Sequence, residues 1–262
     1  MKILARSFLL VVSFALLLSP LRAQGPTWEN LQPETLTFDG KVTKLLTTIS
    51  IGELTVSTKK APNGKDMIIS TEAVSKGSLL KLFGFSFIER FESTIDPMFR
   101  SLKTIKHDEQ KDYVRDSTAI FDYGQHRVTY TETNPKAPNQ PPKTIASDIG
   151  DSMLDLIASV YYVRSIPLKV GQKFDLQVSD SGLVYKVTVS VTGHELQKTI
   201  FGNVMCWKIE PEIFGVAKLI DQKGKMTMWF TDTPRRLPVR TSIQTQYGRI
   251  EVKMKTATPN NT

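Results

Sequence analysis

Apolar and polar side chains alternate along most of this sequence with the two-residue period of a β-strand. Leu183, Tyr185, Val187, Val189 and Val191 fall on one side, with Lys186, Thr188 and Ser190 on the other. Met226, Met228 and Phe230 alternate with Lys225, Thr227 and Trp229, and Ile250, Val252 and Met254 with Arg249, Glu251, Lys253 and Lys255. One apolar and one polar face is what an antiparallel sheet wetted on one side requires. Further strands are predicted over Leu45–Lys59, where Gly52 marks a bulge or a break, and over Asp66–Val74. Phe85–Ile95 places Phe85, Phe87, Glu89, Phe91 and Ser93 on one side, and strands follow over Arg100–His107, Tyr113–Phe121 and Arg127–Glu132. Turn signals separate them at Ala61-Pro62-Asn63-Gly64, Tyr123-Gly124, Asp180-Ser181-Gly182 and Gln222-Lys223-Gly224.

Three segments break the pattern. Gly77–Phe83 reads as a short helical or irregular link. Asn134–Pro142 carries four prolines and no hydrophobe larger than alanine, so it is expected as an exposed loop that joins no sheet interior. Ser147–Arg164 has helical spacing instead. Ile149, Met153, Leu156, Ile157, Val160 and Tyr161 form an apolar stripe opposite Asp151, Asp155 and Ser159. Ser147 or Asp148 is placed to cap this helix, Asp148, Asp151 and Asp155 to lie on its solvent side, and Pro167 to stop it. The fold class that follows is mainly β: a strongly curved antiparallel sheet or open barrel with one amphipathic helix packed on it. With no internal repeat and no long linker, residues 34–256 read as a single domain, preceded by a flexible leader over 24–33 and followed by a disordered tail over 257–262.

Residues 1–23 have the order of a cleavable signal peptide. Lys2 and Arg6 supply the positive start, Phe8–Leu18 the apolar core, and Ser19-Pro20 its end, with the cut placed between Ala23 and Gln24. The apolar core is about half the roughly 20 residues a membrane span needs, and no cysteine near the cut offers a lipid attachment. The expected product carries no transmembrane span and is periplasmic or secreted. Cutting after Ala23 leaves 239 of the 262 residues; losing Lys2, Arg6 and Arg22 with no acid lowers the formal charge from +8 to +5. The remaining positive charge is spread along the chain, which argues against nucleic acid as a partner.

Candidate chemistry is sparse. The lone Cys206 sits between Met205 and Trp207 in a strand-like run and reads as a small buried hydrophobe, so no disulfide framework is available. His107, His126 and His194 have no ligand spacing, and His194-Glu195-Leu196-Gln197-Lys198 lacks the second histidine of a zinc helix. No Gly-x-Ser-x-Gly elbow and no phosphate-binding glycine loop occurs. No cofactor and no metal is therefore expected. Glu89, Glu92 and Asp96 are the carboxylates that a hydrolase would need to bring together. The three arginines of Pro234–Arg240 suit either an anionic ligand or a charged turn between strands.

An ordered set of short motifs resembles the exported bacterial domain-of-unknown-function 3108 family. They include Tyr161-Tyr162-Val163-Arg164, Leu168–Phe174, Gly202–Pro211, Met228–Asp232 and Arg236-Leu237-Pro238-Val239. In the first half Gly52–Val56, Arg90–Ser93, Asp96 and Phe121-Asp122 fall in the order that family shows, so the resemblance runs from about Pro33 to Met254. It implies a mostly β envelope protein of Gram-negative bacteria whose curved sheet holds a helix, and it brings no catalytic residues. The functional expectation is a non-enzymatic binding protein for an apolar small molecule or lipid, with Tyr161, Tyr162, Trp207 and Trp229 lining its pocket. Two alternatives stand beside it: a structural or assembly factor holding an envelope protein partner through Asn134–Pro142, and a carboxylate-dependent hydrolase.

Overall fold

Among the described residues, β-branched and aromatic runs separated by tight turns build one antiparallel sheet of fourteen strands. The first eight are β1 (Glu34–Lys44), β2 (Thr47–Lys60), β3 (Met67–Ser75), β4 (Phe87–Ile95), β5 (Ser101–Gln110), β6 (Tyr113–Asp122), β7 (Arg127–Thr133) and β8 (Lys143–Asp148). After helix α1 (Leu156–Ser165) come β9 (Lys173–Asp180), β10 (Leu183–Thr199), β11 (Gly202–Pro211), β12 (Gly224–Thr231), β13 (Pro238–Thr245) and β14 (Gly248–Pro259). The computed structural model describes residues 26–28, 31–44, 47–77, 86–111, 113–246 and 248–260. The signal segment with its Ala23–Gln24 cut, and Ser78–Phe83 of the link, lie outside the described residues.

Each strand pairs with the next in sequence, with two exceptions. β1 lies beside β14, with Phe38 opposite Met254, and the sheet is open between β8 and β9, where the chain detours through α1. Curvature brings these two edges together without a continuous ladder. Leu154 bridges Val178 in β9, and the Ser147 hydroxyl donates to the Gly182 carbonyl at 2.7 Å. Gly182 has φ 80°, and a Cβ there would stand 2.7 Å from the Cβ of Tyr130, so the β9–β10 turn meets β7 only because it has no side chain. A bulge at Ile51, beside Gly52, lets β2 bend, as Gly40 pairs with Gly52 while Lys41 pairs with Ser50.

The concave face is apolar over its larger part. One core cluster runs from Leu36, Phe38, Ile69 and Ile95 through Val187, Val189 and Ile209 to Phe230, with α1 against it. A second, smaller cluster around Phe121, Val128, Tyr130, Ile149 and Met153 fills the end near β6 and β7.

Three expectations change here. The helix is shorter than its apolar spacing suggests: Ser147 and Asp148 end β8, and Ile149 and Met153 belong to an irregular segment that packs into the second cluster. Helix α1 begins after Asp155, whose Oδ1 accepts from the Ile157 and Ala158 amides at 2.9 Å each. Asp155 is therefore the N-cap and is buried, not a solvent-face residue. In the leader, Trp28 is 4% exposed, lies in the main core, and its amide donates to the Pro97 carbonyl. At the other end β14 continues through Ala257 to Pro259 because the start of β1 needs a partner, and Asn260 binds Pro33, Thr35 and Thr58.

Candidate functional site

Helix α1 is held by polar groups at both ends. At its N-terminus Asp155 Oδ2 accepts from the Ser93 hydroxyl of β4 at 2.5 Å and the Ser101 hydroxyl of β5 at 2.7 Å. Burial pushes this carboxyl above its ordinary pKa, against the pull of those four donors. At its C-terminus Arg164 pairs with Glu34 of β1 at 2.6 Å, both nearly inaccessible, while its guanidinium lies over the Tyr161 ring and reaches the Arg235 carbonyl. Arg235 reaches Glu34 at 2.8 Å, and Arg236 donates to the Ile166 carbonyl at the helix end. Two of the three arginines in the Pro234–Arg240 turn are thus clamps on α1. The third, Arg240, lies over Trp229 and pairs with Glu251.

Between α1 and β9–β12 this clamp leaves a cavity of about 310 Å³. The helix contributes Leu156, Ser159, Val160 and Val163; β9 and β10 contribute Leu176, Val178, Val187 and Val189; and β11, β12 and their connection supply the rest, including Ile209, Met228 and Phe230. Ser159 carries the only hydroxyl among these lining residues, and no charged side chain is present. Leu156, 40% exposed, stands at the edge, and Leu219 and Ile220 are half-buried beside it. A space of this size and lining excludes charge and accepts hydrocarbon.

The wall of the cavity is incomplete at one place. β12 has eight residues but pairs with β11 only from Met228 to Thr231, opposite Ile209 to Cys206. Beyond that point the strands part, where Pro211 has no N–H to give to a neighbour. The connection Glu212–Lys223 covers the slit. Its short ladder, with Phe214 beside Ile220, places the Phe214 ring over Gly224, where a Cβ would stand 2.7 Å from that ring. On the outside of the slit lies a second depression of about 580 Å³ that shares Pro211, Ile213 and Met226 with the inner cavity.

The four aromatic residues expected to line a pocket do not line this one. Tyr161 is buried against Glu34 and Arg164, and Tyr162 packs edge-on to Phe99. Trp207 stacks on His194 with its indole N–H donating to Asp232, and Trp229 donates to Glu195 at 2.6 Å. A ring that must satisfy an O–H or N–H is drawn to a polar partner, so the void is left to aliphatic residues, methionine and the ring of Phe230, which has no polar atom to satisfy. The signal for them was present in the alternation of β9, β10 and β12.

Glu89, Glu92 and Asp96 are not brought together. Glu89 pairs with Lys106 on one face of β4, Glu92 lies near Ser70 on the other, and Asp96 closes a turn through the Met98 and Arg100 amides and the Arg100 guanidinium. His107 pairs with Asp116, His194 with Asp232, and His126 lies near Asp151, in three separate places. Among the described residues no group of three or more His, Cys, Asp or Glu is placed to hold a metal ion, and no helix is long and apolar enough to cross a membrane. Cys206 is fully buried, and that burial raises its thiol pKa to about 11. Asn134–Pro142 is an exposed loop between β7 and β8, built of two successive turns.

No curated protein matches this sequence. Among solved structures it is similar to a protein of Brucella abortus described as a beta-barrel-like protein of domain of unknown function DUF1849. The TM-score is 0.61 at 8% identity, covering 88% of this chain and 99% of that one, so the likeness concerns the fold alone. Residues 37–255 match the model of the family described as "Protein of unknown function (DUF3108)", and the chain belongs to that family.

Proposed function

We propose that this member of the domain-of-unknown-function 3108 family is an exported, non-enzymatic binding protein for an apolar, lipid-like ligand, held between α1 and β9–β12. The observation that carries the reading is the apolar cavity of about 310 Å³, lined without a charged group. At the roughly 30 Å³ that a water-sized group occupies in a liquid, it takes about ten methylene-sized groups. Each methylene transferred there from water gains about 0.8 kcal/mol, so a chain of that length has enough driving force for useful affinity after the cost of immobilisation. The signal-like order of residues 1–23 supports a role outside the cytoplasm.

The test is titration of delipidated protein with N-phenyl-1-naphthylamine, an uncharged fluorescent probe, beside a Val189→Phe variant whose ring fills the cavity. Saturable binding with one site is expected, and its loss in the variant at unchanged circular dichroism. A parent protein that binds no probe, or a variant that binds as well as the parent, would remove this reading.

A further inference from the structure

We infer that the ligand is an anionic single-chain amphiphile, with its tail in the inner cavity and its head in the outer depression beyond the slit between β11 and β12. The inference rests on the cavity being the binding site and adds the chemistry of the ligand. Two adjoining spaces of different character meet at Pro211, Ile213 and Met226: the inner one has no charged side chain, and the outer one adds Lys173, Lys218 and Lys225, with Glu210 and Glu212, to a partly apolar wall. A molecule that fills both must be hydrocarbon at one end and polar at the other. The slit joining them lies where the β11–β12 ladder stops after four pairs, and an inner space of about 310 Å³, roughly ten methylene-sized groups, holds one alkyl chain.

The sign of the head follows from the cations. Lys225 pairs with Glu210 at 2.9 Å and Lys218 stands 3.8 Å from Glu212, so these two are partly neutralised. Lys173, exposed at the start of β9, has no carboxylate partner among the described residues and leaves the depression with an excess positive charge. A carboxylate or phosphate head meets that free ammonium and competes for the other two, whereas a quaternary ammonium is repelled. The Phe214 ring lies across the slit, against Gly224, and must move aside for the tail to pass.

Displacement of N-phenyl-1-naphthylamine from the delipidated protein decides the matter, using decanoic acid, decyl phosphate, methyl decanoate and decyltrimethylammonium as competitors. The two acids are expected to displace the probe at concentrations at least tenfold below those of the ester and the ammonium. Their mutual ranking separates a fatty-acid head from a phosphate head. Lys173→Glu and Lys173→Gln/Lys225→Gln, both changes of exposed side chains, are expected to abolish the preference while leaving probe affinity within twofold. If all four compounds compete equally, or if the lysine variants keep the preference, the anionic head is refuted and the apolar cavity stands. If the neutral probe itself does not bind, the cavity reading falls and takes this inference with it.

Discussion

Removal of the Asp155 side chain tests how α1 is attached to the sheet. In an Asp155→Ala variant the Ile157 and Ala158 amides lose their acceptor, and the buried Ser93 and Ser101 hydroxyls lose theirs. A lost N-cap costs about 0.5–2 kcal/mol, and a buried hydroxyl left without its partner costs about 1–3 kcal/mol. Relief of the buried carboxyl, whose pKa burial has raised, offsets part of this. The net expectation is a loss on the order of 3 kcal/mol, which in a chain of this size lowers Tm by roughly 6–12 °C. Asp155→Asn keeps an oxygen for the two amides and supplies a donor for the serines, so it should lose about 1 kcal/mol or less. The two variants also differ from the parent in pH dependence. The folded-state pKa of Asp155 is raised from 3.8, so the unfolded chain releases this proton at a lower pH than the folded one. The stability that protonated Asp155 contributes is present below its ordinary value and is lost as pH rises through the raised one. Urea denaturation from about pH 4 upward should therefore show the parent losing ground to Asp155→Asn. An Asp155→Ala protein within 1 kcal/mol of the parent, or a parent–Asn difference that does not change with pH, would refute the buried cap.

Three further outcomes are expected. Glu34→Ala strands the buried Arg164 and should cost about 3–5 kcal/mol by urea denaturation, while Glu34→Leu with Arg164→Met should recover most of it; equal losses in both would show that charge pairing is not what holds the helix end. Gly224→Ala places a methyl 2.7 Å from the Phe214 ring and the Gln244 carbonyl, so hydrogen exchange over 213–221 should accelerate at least tenfold; unchanged protection there would mean Phe214 does not cover the slit. Cys206, buried and with its thiol pKa raised to about 11, should be silent to Ellman's reagent at pH 8 in native protein and react fully in urea; rapid native labelling would contradict its burial.

Sheet and cavity differ in how far the sequence discloses them. Alternation in Leu183–Val191 and Ile250–Met254 marks β10 and β14 and their inward sides, because a two-residue period is a local property of a strand. The start of α1 is not local. Ile149 and Met153 have helical spacing by accident of packing into the second cluster, and Asp155 is identified as the cap only by Ser93 and Ser101, more than fifty residues away. The same holds for Arg235: its turn looks solvent-facing until Glu34 is brought beneath it from 201 positions away. Tyr161, Tyr162, Trp207 and Trp229 do not line the cavity between α1 and β9–β12, because ring size says nothing of where an O–H or N–H finds its partner. The slit depends on where the β11–β12 ladder ends, which Pro211 hints at but no periodicity reveals.

The pairing of β1 with β14 has a consequence for the order in which this molecule can assemble. β1–β8 and β9–β14 are each runs of neighbouring hairpins, able to zip from contacts close in sequence, yet they are joined side by side only where Phe38 meets Met254. That closure waits for nearly the whole chain and carries the loop entropy of more than two hundred residues, which places it among slow, high-contact-order steps. Each half meanwhile exposes an unpaired edge that invites association with another copy. Two separately produced fragments, divided in the connection between β8 and β9, already contain every local hairpin, and their complementation in solution would reproduce the last step of folding as a bimolecular reaction whose rate can be measured by dilution.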